Sequence, residues 1–173
     1  MHGIGFTALE RDPGQVDVVR RFGNKAGFGD PTRPDLRRAA CAEQAKRLIV
    51  VLDDRDAVVR TVEVARRNFP NPKVFARARN RRHAHLLMDR NGDSLVRGTF
   101  HSSLGLAEDS LVALGILAED AAHSVELFRE HDERNLVEAH AIYRDEKQLI
   151  QRSHQAAEEL TSLFEADRRG EAR

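Results

Sequence analysis

The feature that most constrains the fold is an alternation of short apolar runs with helix-like stretches over the first hundred residues. The clearest run is "RLIVVLDD", in which five consecutive apolar residues, Leu48 to Leu52, are flanked by charge. A continuous apolar run is typical of a parallel strand that is covered on both faces. Asp54 follows the run and can cap a helix whose apolar residues recur at helical spacing. Strands and helices that alternate in this way predict parallel βαβ units.

Further segments extend the alternation. Strands are predicted at "FTALE", "KAGFGD", "KVFARA" and "SLVR". The intervening helices are predicted to begin at Asp12-Pro13-Gly14, to run from Asp35 to Ala40, to follow Asp54, and to run from Arg81 to Asp89.

The rhythm changes near residue 100, where strand signals end. Thr99 to Leu114 has a helical pattern, and residues 118–169 contain neither Gly nor Pro. This second stretch predicts one long helix or two joined helices. We therefore assign residues 1–100 to an α/β domain and residues 101–173 to a helical extension that packs on a partner chain.

The composition excludes several classes of protein. The 28 basic and 28 acidic residues cancel, so no bulk field attracts nucleic acid or an anionic membrane. The single cysteine, Cys41, excludes an internal disulfide framework, and its alanine-rich surroundings predict a small buried role. The longest apolar run is far too short to cross a bilayer. We find no metal-ligand spacing among the histidines and no nucleophile–base pair for catalysis.

Glu10 stands where nucleotide-binding folds carry an acid. An acid at the end of the second strand can accept hydrogen bonds from a ribose hydroxyl, about twenty residues after a G-x-G-x-x-G loop. Gly3 and Gly5 do not form that loop, because no strand precedes them and they lead into a strand rather than a helix. The predicted fold class is therefore α/β, with a Rossmann-like parallel sheet that lacks its first strand and Gly-rich loop, followed by a long helical extension.

The missing strand would lie in the middle of the sheet, whose order is 3-2-1-4-5-6. Three outcomes would satisfy the exposed backbone groups. The gap closes, with "FTALE" pairing directly to "RLIVVL"; another chain supplies the strand; or the chain is a fragment of a longer product that carries the strand and membrane segments upstream. We expect a fragment by origin and a closed gap in the isolated chain.

Four stretches together resemble a known family. "ALERDPGQVDVVRRFGNK", "GDPTRPDLRRAACAEQAKRLIVVLDD", "FPNPKVFARARNRRHAH" and "VRGTF" resemble the C-terminal regulatory domain, of RCK/KTN or TrkA-N type, of Kef-type glutathione-regulated potassium efflux antiporters. The resemblance implies a dimeric Rossmann-like domain at the cytoplasmic face of the inner membrane, below a membrane-embedded cation/proton antiporter. It also implies binding of AMP or NAD(H), control by glutathione or its adducts, and docking of an ancillary quinone oxidoreductase subunit.

Five residues at strand ends are candidates for the nucleotide pocket: Glu10, Asp30, Thr32, Asp53 and Asp54. In an open α/β sheet the carboxyl ends of the strands carry the ligands. Thr32 and Asp54 could instead serve only as helix caps.

The resemblance also implies a glutathione-like site formed by Phe22 in "RRFGNK", Arg97 in "VRGTF" and Asp132 in "FREHD". An arginine suits a peptide carboxylate, because its fork makes two charge-assisted hydrogen bonds. Asp132 departs from the family pattern, which has asparagine there, and an ionised aspartate only accepts hydrogen bonds. Taken without the resemblance, the three residues would be a core residue, a surface ion-pair partner and a solvated side chain.

Arg77 and Arg79 lie two apart at a strand end and are predicted to point the same way. They could bind an anion or a dimer carboxylate, or form a salt-bridged rim. For the whole chain we expect no enzyme activity. The alternatives are a free-standing gating subunit of a potassium channel or transporter, which the helical tail disfavours, and a fragment of an NAD-dependent oxidoreductase.

Overall fold

The computed structural model describes residues 5–23, 26–30, 33 and 42–170. Thr32, Cys41 and the helix predicted from Asp35 to Ala40 lie outside these residues. The helices and strands of the described chain follow in this order: β1 Ala8–Glu10, α1 Pro13–Arg21, β2 Ala26–Phe28, a short 3-10 helix Ala42–Gln44, β3 Arg47–Val50, α2 Arg55–Asn68, β4 Lys73–Ala78, α3 Arg81–Met88, β5 Ser94–Arg97, α4 Gly98–Ala113, α5 Ala118–Glu138, a 3-10 turn Ala139–Ala141 and α6 Glu146–Arg168.

The described chain divides into two compact units. The first contains the residues up to Ala78 together with Leu86–Val96, and the second contains Arg79–His85 together with the chain from Arg97 onward. All strand pairing lies in the first unit, whereas the second contains the long helices. The fold class is α/β with parallel strands and long C-terminal helices, as predicted.

The strands of the first unit form two sheets. β1 pairs in parallel with β2, with Glu10 opposite Phe28, and β3 pairs in parallel with β4 in a sheet ordered β3-β4-β5. No ladder joins β1 to β3 among the described residues, so the prediction of a closed gap is wrong. Each sheet packs on its own helix, α1 on the first and α2 on the second. Pairing β1 with β3 would therefore require whole strand–helix layers to shift relative to each other.

The core of this unit lies between α2 and β4. Asp54 caps α2, its Oδ1 accepting a hydrogen bond from the amide of Ala57 at 2.5 Å. Every third or fourth residue of α2 and every second residue of β4 is buried, which follows from the periods of the two structures. The fully buried aliphatic residues of α2 and β4 are Val58, Val62, Ala65, Val74 and Ala78.

β3 differs from its prediction in one respect. Its apolar run indicated a strand covered on both faces, yet Ile49 is 69% exposed. Val51, the first residue after the strand, is 55% exposed. Val50, on the opposite face, is buried. One face of β3 therefore packs in the core while the other faces solvent, so the continuous apolar run did not report two-sided cover here.

The second unit is a set of packed helices. α4 packs against α5, and the turn that joins them contains Gly115, whose positive φ of 91° favours glycine. The long stretch predicted as one helix or two joined helices is two, α5 and α6, and Asp145 caps the second by accepting from the amide of Gln148 at 3.1 Å. Arg152 on α6 donates to Glu138 at the end of α5 at 2.6 Å, which connects the two helices, and to Glu159 on its own helix at 2.8 Å. No helix among the described residues is both long and apolar enough to span a bilayer.

Asp93 fixes the turn that leads into β5. Its Oδ2 accepts a hydrogen bond from the amide of Val74 at 2.5 Å and pairs with the guanidinium of Arg66. The bond from Val74 is the main reason that the pKa of Asp93 lies below its usual value of 3.8, and Arg66 lowers it further against the opposing effect of burial.

We expect Asp93→Asn to reduce the free energy of unfolding by about 1 kcal/mol at neutral pH, since the side chain is partly solvated. The folded-state pKa is the lower one, so the stabilisation is present above the unfolded pKa and is lost as the pH falls through the folded value. Urea unfolding followed by circular dichroism at pH 7 and at about pH 3 measures this. Asp17→Asn, on the exposed side of α1, is the control; a loss that is equal at both pH values would contradict the assignment.

Candidate functional site

Two acids lie at the carboxyl edge of the first sheet. Glu10 ends β1, and its Oε1 accepts hydrogen bonds from the amides of Arg11 at 2.7 Å and Asp12 at 3.0 Å. The chain after β2 is held beside it, because the amide of Gly29 donates to the Glu10 carbonyl at 2.9 Å. Asp30 follows directly and is exposed. The parallel register thus brings Glu10 and Asp30 to one edge, as the sequence predicted.

The second sheet has an ion pair at the corresponding edge. Arg77 on β4 donates to Oδ1 of Asp53 at 2.6 Å and to the carbonyl of Leu52 at 3.2 Å. The Asp53 side chain is otherwise fully exposed. Asp54 caps α2 and therefore has at least the structural role foreseen for it. The edge offers carboxylate acceptors for hydroxyl groups and one guanidinium for an anion.

Arg79 lies one residue beyond the end of β4, where its amide donates to Nδ1 of His83 at 3.0 Å. The alternation of a strand no longer applies there, so the spacing argument that aimed Arg77 and Arg79 at one face does not hold.

A second cluster, which we call the carboxylate cluster, consists of Arg81, Arg97 and Asp132 in the helical unit. Asp132 Oδ1 accepts from Arg81 Nη1 at 2.5 Å, and its Oδ2 pairs with Nη2 of Arg97. The side chains of Arg97 and Asp132 are only 8% and 13% exposed, whereas Arg81 is 40% exposed. The family resemblance implied that Arg97 and Asp132 belong to one site with Phe22, and the structure brings Arg97 and Asp132 into direct contact.

An aromatic ring supports the buried arginine. The guanidinium carbon of Arg97 lies 3.7 Å from the centroid of the Phe100 ring, close enough for a strong cation–π contact. Arg97 is the last residue of β5 and Phe100 lies in the first turn of α4, so the strand-to-helix junction itself sets this geometry. With the ring on one side and Asp132 at its edge, the guanidinium is held in one orientation.

Beside the cluster lies a cavity of about 490 Å³ between α4, α5 and α6. Its walls are mostly apolar, with Leu104 and Phe100 from α4, Phe128 from α5 and Phe164 from α6. Asp132 forms a polar part of the wall. The volume is within the range of small-molecule pockets, roughly 300–1,000 Å³.

Phe22, the third residue implied by the resemblance, belongs to the α/β unit. It forms the C-cap of α1 and is 80% exposed, so it is not a core residue at the helix end. The structure therefore leaves its ring accessible, without assigning it a ligand.

Sequence reasoning missed Arg81 and Phe100. Arg81 lies in "ARNRRHAH", a stretch used only for the resemblance, and begins α3 directly after Asn80. Phe100 ends "VRGTF", three residues after Arg97, a spacing that places the two on the same side of a helical turn. Among the described residues there is also no cluster of three or more His, Cys, Asp or Glu side chains that could hold a metal ion.

Comparison with known proteins agrees with this architecture. Residues 2–97 match the TrkA-N domain, and residues 102–173 match the potassium efflux system KefB C-terminal domain. A solved Kef CTD from Shewanella denitrificans in AMP-bound form is 34% identical with a TM-score of 0.74, covering 81% of this chain and 85% of its own.

Two more distant structures share the fold alone. The TrkA-N domain of the inner membrane protein YbaL from Escherichia coli is 24% identical, with a TM-score of 0.56 over 61% of this chain and 78% of its own. The NAD(P)-binding domain of an exopolyphosphatase-related protein from Archaeoglobus fulgidus is 13% identical, with a TM-score of 0.55 over 62% and 80%.

A relative of substantial identity thus covers 81% of the chain, which includes parts of both the α/β unit and the helical unit. The chain belongs to the family of Kef potassium efflux C-terminal regulatory domains, and it carries their nucleotide-binding TrkA-N fold.

Proposed function

We propose that this chain is a cytoplasmic ligand-sensing domain that gates a potassium efflux antiporter and catalyses no reaction. AMP or NAD(H) binds at the carboxyl edge of the strands, and glutathione or an adduct binds as effector at the carboxylate cluster; Phe22 stays a ligand-contact candidate from the resemblance alone. The observation that supports the nucleotide site best is the position of Glu10 and Asp30 at the same sheet edge, in a chain 34% identical to an AMP-bound relative.

The edge has the chemistry that a nucleoside requires. Ribose hydroxyls donate well to carboxylates, and Glu10 is held by two backbone amides at Oε1, which orients its side chain. Asp53 presents a second carboxylate, and its pairing with Arg77 leaves a cation nearby for a phosphate. Asp54 completes the proposed pocket and also serves as the cap of α2; Thr32 remains a candidate from the sequence.

The effector site rests on different chemistry. Arg97 and Arg81 supply two guanidiniums that suit a carboxylate of a small peptide. The adjoining apolar cavity offers room for a hydrophobic substituent, such as the group carried by a thiol adduct. The ligand would therefore be an anionic peptide with an apolar or sulfur-bearing side chain.

Exposed apolar side chains support an assembly with other chains. Leu106 on α4, Leu117 before α5 and Val137 on α5 are 69%, 73% and 64% exposed. Large apolar side chains that face solvent favour association. We propose a homodimer, coupled to a membrane-embedded antiporter domain at the inner membrane and docked by an ancillary quinone oxidoreductase.

Isothermal titration calorimetry with AMP tests the nucleotide site. We expect Glu10→Gln to weaken AMP binding about tenfold, because a charge-assisted bond to the ribose becomes a neutral one. The loss should vanish with 2′,3′-dideoxy-AMP, which lacks the hydroxyls, and Asp17→Asn should bind like the unchanged chain. Equal losses with both nucleotides would contradict contact between Glu10 and the ribose.

Potassium efflux from vesicles that contain the full-length protein tests gating. If the helical unit carries the effector site, replacing both arginines (Arg81→Gln with Arg97→Gln) should abolish the response of efflux to glutathione while AMP binding by the domain is retained. Arg129→Gln is the control, because Arg129 pairs only within α5, with Glu126 and Glu133. An unchanged glutathione response in the variant that lacks both arginines would overturn the effector assignment.

A further inference from the structure

The two arginines that would bind an anionic effector are already engaged by a carboxylate of the chain itself. Each oxygen of Asp132 takes one guanidinium, Oδ1 that of Arg81 and Oδ2 that of Arg97. This is the arrangement by which a pair of arginines holds a ligand carboxylate. Here the carboxylate comes from α5.

We propose that Asp132 is an intramolecular competitor that sets the affinity and specificity of this site for carboxylate ligands. The proposal rests on the proposed function, since it concerns the same effector site. A ligand carboxylate binds only by displacing Asp132 from Arg81 and Arg97. Its affinity is therefore low, and it occupies the site only at high concentration.

Burial explains why the two carboxylates cannot share the site. Arg97 is largely withheld from solvent and lies against the Phe100 ring, so its guanidinium cannot turn away to offer a second edge. Asp132 is itself 13% exposed, and a second anion beside it would meet like charge where solvent screening is weak. Arg81, which is 40% exposed, is the half of the pair that a ligand reaches first.

Displacement has a structural consequence within the helical unit. Asp132 connects the middle of α5 to the start of α3 through Arg81 and to the end of β5 through Arg97. When a ligand carboxylate replaces Asp132 at the two arginines, α5 loses both of these ion pairs. The site thereby links occupancy by a carboxylate to the freedom of α5, which is the kind of two-state element that a gate needs.

Calorimetric titration with glutathione tests the proposal in the whole chain. Asp132→Asn keeps the shape of the side chain but removes its charge, so we expect glutathione to bind at least about tenfold more tightly than to the unchanged chain. Glu126→Gln is the matched control: it removes one negative charge from an exposed position of the same helix, where Glu126 pairs with Arg129. It should leave glutathione affinity unchanged.

The proposal is overturned if Asp132→Asn binds glutathione no more tightly than Glu126→Gln. A second measurement needs no variant: glutathione and its diethyl ester should bind the unchanged chain with similar low affinity, because Asp132 already satisfies the arginines. Clear preference for the free acid would overturn the proposal too. If the unchanged chain does not bind AMP at all, that result would instead count against the proposed function, so the two failures are distinguishable.

Discussion

The ion pairs of Asp132 with Arg81 and Arg97 are the constraint on which the helical unit depends. They connect side chains 51 and 35 residues apart in the sequence, and they do so where two of the three groups are nearly buried. A charge withheld from water is costly unless it is paired, so Arg97 and Asp132 require each other. The end of β5 and the middle of α5 are therefore held together, and Arg81 adds the start of α3 to the same carboxylate.

The α/β unit is organised by a different principle. Aliphatic packing between α2 and β4 forms its core, and parallel pairing then brings the carboxyl ends of neighbouring strands to common edges. Glu10 and Asp30 lie at the carboxyl edge of the β1-β2 sheet, and Asp53 and Arg77 lie at the carboxyl edge of the β3-β4-β5 sheet. Ligand chemistry thus follows from strand direction, whereas in the helical unit it follows from the pairing of buried charges.

Local signals made much of the fold predictable. The cap at Asp54, the strand at "SLVR" and the helix of the "VRGTF" segment follow from turn chemistry and hydrophobic period, which act within a few residues. The split between α5 and α6 stayed open, because no Gly or Pro marks it, and the cap at Asp145 is one polar residue among many. The sheet gap was wrongly expected to close, since strand pairing depends on how entire layers pack and no local pattern reports it.

The candidate sites divide in the same way. Acids after strands were found from the sequence, because the end of a strand is a local feature. Arg97 and Asp132 were singled out only through resemblance, and Arg81 was missed, because an ion pair across 51 residues leaves no periodic signal. The exposure of Phe22 and Ile49 was also unforeseen, since apolar character alone does not say which face a neighbour covers.

The central claim is that Asp132 already occupies the arginines that an anionic effector needs. The most direct measurement is a double-mutant cycle in which glutathione affinity is determined with Arg97→Gln in the unchanged and in the Asp132→Asn background. The account predicts that Arg97→Gln costs at least about tenfold in affinity when Asp132 is replaced and less than about twofold when it is present. The same loss in both backgrounds would show that Arg97 meets the ligand regardless of Asp132, and would contradict the account.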